Sequence, residues 1–252
     1  ISQFRTWGFN LTNHTNGGEG VYGGGEWNNT PVTVFTKEGI LFKSFDLFLS
    51  NSKFCSDMYR RAFWYRGDIL ECGSPRVDIL FNGDYSIVSR VKEYFGLEHE
   101  AKILLYAPTF RKDFNLDCYD VDFVELLNFL ESKYNAKWYV FLRLHPNIPS
   151  YYVHFLNQFN DTRIINVTDY DDMYELMFVS DILITDYSST MFEFSFVYKP
   201  VFIYASDVES YKNDRNFYFN ITSLPYSVAR NNEELLNNIK NFDQKVYYER
   251  VK

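Results

Sequence analysis

Beyond residue 100 the sequence alternates between short, unbroken apolar runs and longer stretches with helical spacing. The runs are Ile103–Ala107, Trp138–Leu144, Arg163–Val167, Ile182–Thr185 and Val201–Tyr204. An unbroken apolar run of this length is what a strand looks like when both of its faces are covered. Helices are expected at Val121–Tyr134, Tyr151–Phe159, Asp171–Val179, Ser189–Tyr198 and Asn232–Asn241. Strict alternation with short loops implies right-handed crossovers and a parallel sheet, so a doubly wound α/β domain is expected over roughly Lys102 to Phe242.

Upstream the pattern is thinner. Strands are expected at Asp46–Ser50 and Asp68–Gly73, with a helix over Lys53–Phe63 between them. A further helix over Tyr85–Phe95 stops at Gly96. Phe81-Asn82-Gly83-Asp84 reads as a linker, which sets the expected domains at 1–84 and 85–252. The first forty residues carry Asn16-Gly17-Gly18-Glu19-Gly20 and Gly23-Gly24-Gly25. A phosphate cradle is one reading of these glycines. They lack the GxGxxG order and a Lys-Ser/Thr ending, and no clear strand precedes them, which favours a loop.

Composition removes several classes of function. A net charge of −8 argues against nucleic acid as a partner, because counterion release needs a basic surface. Local basic character remains available from Arg60, Arg61, Arg66, Arg76, Arg111 and Arg143. The aromatic share of 20% accompanies abundant Asn, Lys and Ile, and reads as the drift of an AT-rich genome rather than a stacking surface. Cys55, Cys72 and Cys118 fit no zinc spacing, and the four histidines form no HExxH, so neither a metal nor a cofactor is expected. No stretch reaches the ~18 apolar residues of a membrane span, and Ile1-Ser2-Gln3-Phe4-Arg5 does not read as a signal peptide. Reduced thiols in a cytoplasmic compartment are therefore expected.

Open α/β sheets bind ligands beyond the carboxyl ends of their strands. Polar residues gather at those ends here. Pro108-Thr109-Phe110-Arg111 follows the first run, Arg143-Leu144-His145-Pro146 closes the second, and Thr185-Asp186-Tyr187-Ser188-Ser189-Thr190 closes the fourth. Ser188 or Ser189 is expected to cap the following helix, and its hydroxyl and free amides make either a simple cap or an anion site. His145 can satisfy a local hydrogen bond or act on a substrate. The coincidence of three polar clusters on one rim favours function, with Arg111 and His145 neutralising a diphosphate and the serine turn supplying donors.

Taken in order, several segments resemble the CDP-glycerol glycerophosphotransferase family of teichoic acid and capsule polymerases. They are Gly73–Asp78, Tyr106–Arg111, Leu142–Pro146, Asp181–Ser189, Lys199–Tyr204 and Asp207–Tyr211. The resemblance runs from about Asp46 to Lys240 and implies a GT-B architecture of two Rossmann-like domains with the donor in the cleft between them. The N-terminal domain, on the acceptor side, is expected to be incomplete. In the implied reaction an acceptor hydroxyl attacks the glycerol-bearing phosphate of a CDP-polyol and CMP leaves. The implied partners are that donor and a lipid-linked polymer, at the inner face of the cell membrane as a peripheral protein. The expected donor contacts are Thr109, Arg111, Arg143, Asp186, Ser188, Ser189, Thr190 and Glu193, with His145 and His14 as candidate catalytic groups. The family's Trp-His-Gly segment is broken: Trp7 is followed directly by Gly8, and His14 is out of register. Two alternatives stay open: a GT-B glycosyltransferase using a nucleotide sugar, and a donor-binding module that has lost catalysis.

Overall fold

The structure is a computed structural model that describes residues 47–62, 65–111, 117–144, 161–215 and 220–252. The glycine-rich segment, His14, His145 and the helix expected at Tyr151–Phe159 lie outside the described residues. The chain divides into two compact units, Ile1–Arg76 and Val77–Lys252.

In the first unit, strand β1 (Leu47–Ser50), helix α1 (Lys53–Ala62) and strand β2 (Asp68–Glu71) form a βαβ turn. The two strands pair in parallel, from Leu47 opposite Asp68 to Ser50 opposite Glu71. Arg60 closes the return by donating to the carbonyls of Tyr65 and Gly67, at 3.0 and 2.8 Å.

The second unit begins with two helices, α2 (Asp78–Asn82) and α3 (Tyr85–Tyr94). Val77 and Leu80 are buried in its core, so the boundary between units falls at Arg76/Val77, earlier than the linker expected at residues 81–84. There follow β3 (Lys102–Tyr106), α4 (Phe123–Tyr134), β4 (Trp138–Leu142), β5 (Ile164–Asn166), α5 (Met173–Val179), β6 (Ile182–Thr185), α6 (Thr190–Ser195) and β7 (Val201–Tyr204). The described chain ends with α7 (Val208–Arg215), β8 (Ser227–Ala229), α8 (Asn232–Lys240) and α9 (Gln244–Val251).

Among the described residues the six strands of this unit pair in parallel, in the order β5-β4-β3-β6-β7-β8. The sheet has helices on both faces, and the pleat sorts side chains between them. Ile103, Leu105, Phe141, Leu183 and Ile203 pack with Val91, Leu176, Phe194 and Tyr247 on one side. Leu104, Tyr106, Val140, Ile184 and Phe202 pack with Leu127, Leu130, Leu235 and Ile239 on the other. Covering both faces is why these strands read as unbroken apolar runs.

The expected strands, and the expected helices that fall within the described residues, form within a few residues of their expected bounds. Caps account for the helix starts. Asp122 accepts from Glu125 N, Asp172 from Tyr174 N and Glu175 N, and Asn231 from Glu234 N. Elements not expected from sequence are the short helix α2, the polar helix α7, the terminal helix α9 and the three-residue edge strand β8. Among the described residues no helix is long and apolar enough to cross a membrane.

The far end of the sheet contains an unusual lysine. Lys199 enters β7 just after Tyr198, whose φ of 58° is the left-handed conformation that a tyrosine adopts at a cost. Helix α9 holds this turn, with Gln244 donating to the Tyr198 carbonyl and Tyr247 to that of Lys199, both at 2.9 Å. The Lys199 ammonium donates to the Phe178 carbonyl at 2.6 Å and lies near the Phe178 and Phe194 rings. Burial pulls it down from its ordinary range to about 8, although the charge of Asp181 opposes that shift. A depressed lysine pKa means the unfolded chain binds the proton more tightly, so folding gains stability as pH rises from about 8 to the unfolded value of ~10.4. Denaturant titrations at pH 7 and pH 10 should therefore show wild type gaining on Lys199→Met, by up to about 3 kcal/mol. A pH-independent difference between the two proteins refutes the buried-ammonium account.

Candidate functional site

The strand order reverses between β3 and β6, and this switch point is where doubly wound sheets bind their ligands. Two bonds knit the strand ends. Ala107 N donates to the Ile184 carbonyl at 3.0 Å, and the Thr185 hydroxyl to the Ala107 carbonyl at 2.7 Å. Beyond them the chain leaves the sheet through Thr109–Arg111 on one side and Asp186–Thr190 on the other.

Asp186 is only 3% exposed and ties the two loops together. Its Oδ1 accepts from Thr109 N at 2.8 Å and Tyr187 N at 2.6 Å. Its Oδ2 accepts from the Thr109 hydroxyl at 2.9 Å and pairs with Arg111 Nη1 at 2.8 Å. Arg111, 7% exposed, also forks onto Asp207 beyond β7, Nε to Oδ2 at 2.6 Å and Nη2 to Oδ1 at 3.1 Å. Its Nη1 donates to the carbonyl and hydroxyl of Thr109, at 2.9 and 2.6 Å. Tyr119 fixes the same carbonyl from its phenol at 2.8 Å.

Aromatic rings enclose the guanidinium. Its centre is 4.9 Å from the centroids of both Tyr187 and Tyr211, and 5.7 Å from that of Tyr119. Tyr187 and Tyr211 stack on each other with centroids 3.8 Å apart. The Tyr187 phenol donates to Asp207 at 2.8 Å.

This environment sets the protonation states. Burial works against the charge of Arg111, but the bond to Asp207 and the charge of Asp186 more than offset it and raise its pKa. Burial likewise pushes the Asp207 carboxyl up, and the Arg111 guanidinium outweighs that and holds it below the usual carboxylate range. Burial, reinforced by Asp207, raises the Tyr187 phenol, which stays a donor. Nearby, burial pushes the Cys118 thiol up to about 12, leaving it protonated and unreactive.

The turn that follows Asp186 is half-exposed and rich in hydroxyls. Ser189 occupies the N-cap position of α6 but makes no side-chain cap bond. The Ser188 hydroxyl instead accepts from Thr190 N at 3.3 Å and shares a short contact with the Thr190 hydroxyl. Ser188, Ser189 and Thr190 thus stand together at the rim next to the charged cluster.

The other expected contacts are bonded elsewhere. Arg143 donates to the carbonyls of Val167, Thr168 and Tyr170, which fixes the loop leading into α5. Glu193 is buried and accepts from the Tyr174 phenol at 2.7 Å. His145 and His14 lie outside the described residues. Among the described residues no group of His, Cys, Asp or Glu is placed to hold a metal ion. Sequence reasoning missed Asp207, Tyr187 and Tyr211 as members of the site. The position of Asp207 just beyond the apolar run Val201–Tyr204 was the signal that would have found it.

Residues 28–252 match the family model described as CDP-Glycerol:Poly(glycerophosphate) glycerophosphotransferase. The chain belongs to this family. It is 32% identical over 220 residues to a teichoic acid poly(glycerol phosphate) polymerase of Staphylococcus epidermidis, covering 82% of this chain and 29% of that protein. A second family member, the ribitol-phosphate polymerase TarK of Staphylococcus aureus, is 30% identical over 201 residues, covering 75% of this chain and 37% of that protein. Among solved structures, the wall teichoic acid polymerase TagF superposes with a TM-score of 0.65 at 30% identity, over 83% of this chain and 52% of that one. Another TagF structure, of a variant soaked with CDPG, superposes with a TM-score of 0.66. The chain thus spans about half of TagF and less than a third of the Staphylococcus epidermidis polymerase.

The geometry gives Arg111 a stability role that its position alone did not indicate. Arg111→Ala leaves two carboxylates facing each other without their cation, and breaking a buried pair in this way costs ~3–5 kcal/mol. The deficit should shrink as pH falls from 7 towards 4. Asp207, held low in the wild type, loses its stabilising partner in the variant and accepts a proton at higher pH. Urea midpoints across that range check both the size and the sign.

Proposed function

We propose that this protein transfers a polyol phosphate from a CDP-activated donor to a growing cell-surface polymer, releasing CMP. The observation that carries the proposal is the family match over residues 28–252, which takes in the whole switch-point cluster of Thr109, Arg111, Asp186 and the Ser188–Thr190 turn. A TagF relative was solved after a CDPG soak, which supports a CDP-linked donor. Relatives named for glycerol phosphate and for ribitol phosphate leave the polyol as the property to measure.

In this reading the donor diphosphate lies against the Ser188, Ser189 and Thr190 hydroxyls. Arg111 serves them from behind, because its guanidinium is committed to Asp186 and Asp207. The acceptor hydroxyl oxygen attacks the polyol-bearing phosphorus, the bond from that phosphorus to the CMP oxygen breaks, and the hydroxyl proton passes to a base. His145 assists the departing CMP or orients the donor, and His14 is the candidate base. Catalysis of this kind is positioning and charge neutralisation, with little covalent work for the protein. The proposal includes a GT-B pairing of two Rossmann-like domains, with the donor domain in the second half of the chain. It also includes a lipid-linked acceptor met by a peripheral protein at the inner membrane face.

Calorimetric titration with CDP-glycerol, CDP-ribitol, CMP and a UDP-sugar, followed by a CMP-release assay with a polyol-phosphate acceptor, tests the reading. A CDP-polyol should bind and turn over. Preferential binding of the UDP-sugar overturns the proposal, and binding without CMP release leaves a donor-binding module. Ser189→Ala should weaken CDP-polyol binding about tenfold, the value of one hydrogen bond to a charged group. His145→Gln should lower turnover more than binding if His145 acts as an acid on the leaving group.

A further inference from the structure

We infer that Asp207 is a positioning residue for the donor, acting through Tyr187 and Arg111 on the turn at residues 186–190. The inference rests on the reading of that turn as the donor site. Asp207 stands between β7 and α7, where its carbonyl accepts from Tyr211 N at 3.0 Å and so opens the helix. Its carboxylate takes the Arg111 fork and, on Oδ1, the Tyr187 phenol at 2.8 Å. One helical turn later the Tyr211 ring covers the Tyr187 ring. The start of α7 therefore grips Tyr187 by its hydroxyl and its face at once.

Tyr187 lies between Asp186 and Ser188 in the chain, so fixing its side chain fixes the main chain from which the serine hydroxyls project. A hydroxyl on a loose turn must be ordered when the ligand arrives, and that entropy is lost from affinity; a preset hydroxyl avoids the loss. The bonds made by Asp207 join three strand ends: β3 through Arg111, β6 through Tyr187, and β7 through Asp207 itself. Arg111 and Asp207 lie beyond the strands and outside both apolar layers, and the Tyr187 ring packs against the edge of one of them while its hydroxyl reaches Asp207. Cutting the bond between Tyr187 and Asp207 should therefore loosen the turn far more than it loosens the fold.

Tyr187→Phe makes that cut while keeping the ring stack and the ion pairs, and Asp207→Asn removes the charge at constant size. CDP-glycerol and CMP would be titrated into wild type, Tyr187→Phe, Asp207→Asn, Ser189→Ala and the Tyr187→Phe/Ser189→Ala double variant, with thermal melts alongside. The expected result is several-fold weaker CDP-glycerol binding by Tyr187→Phe at a near wild-type melting temperature, and a larger loss for Asp207→Asn. The double variant should bind little worse than Ser189→Ala alone, because both changes act on one turn. Additive losses, or wild-type binding by Tyr187→Phe while Ser189→Ala binds poorly, overturn the positioning role and leave the donor site standing. Wild-type binding by Ser189→Ala sinks the donor-site reading instead. Should Asp207→Asn fail to fold, Tyr187→Phe and the double variant decide the matter.

Discussion

A guanidinium taken out of water gives up several kcal/mol of solvation, which only well-placed carboxylates can return. Arg111 meets this demand with a two-point fork onto Asp207 and a third ionic contact to Asp186. The arrangement is more than a local balance of charge, because each partner comes from a different strand end. Arg111 follows β3, Asp186 follows β6 and Asp207 follows β7, so the ion cluster fixes the relative positions of three loops that the sheet itself does not reach. Were Arg111 absent, both carboxylates would be left without their cation, and losing either carboxylate would leave the buried guanidinium with half of its ionic partners. That threat makes the cluster rigid, and the tyrosines around it exclude the water that would soften it.

The same reasoning changes how the charged residues of the rim are read. A phosphate-binding arginine is expected to present free N–H groups to its ligand, whereas Arg111 spends its donors on Thr109, Asp186 and Asp207. With one guanidinium set against two carboxylates, the cluster has no surplus positive charge for a diphosphate. Among the described residues the half-exposed hydroxyls of Ser188, Ser189 and Thr190 stand beside this cluster, and the proposal gives them the ligand. In the proposed reading labour is divided: buried ions hold the frame, and neutral donors on the turn make the contact. Arg143 and Glu193 extend the frame, tying the loop into α5 and the start of α6 to their neighbours.

Family membership and geometry bear on different questions here. The match over residues 28–252 places the chain in the glycerophosphotransferase family, and the strand order places the polar cluster where a doubly wound sheet binds its ligands. The proposed transfer follows from joining the two.

The sequence by itself determined the sheet and most of the helices of the second unit. Strands covered on both faces must be apolar throughout, and that signal is local, so β3, β4, β6 and β7 could be read directly from their runs. It also set Thr109, Arg111, Asp186 and the Ser188–Thr190 turn on one rim, since polar groups after an apolar strand have only the carboxyl edge to occupy. It could not reveal β8, whose Ser-Val-Ala is too short and mild to stand out, or α7, whose polar surface shows no apolar stripe. Nor could it distinguish Arg111 as a buried structural cation from Arg111 as a phosphate ligand, because its deciding partner, Asp207, lies 96 residues along the chain. Local pattern encodes which face of an element is buried. Which charges meet is decided by strand order, and strand order exists only once the sheet has formed.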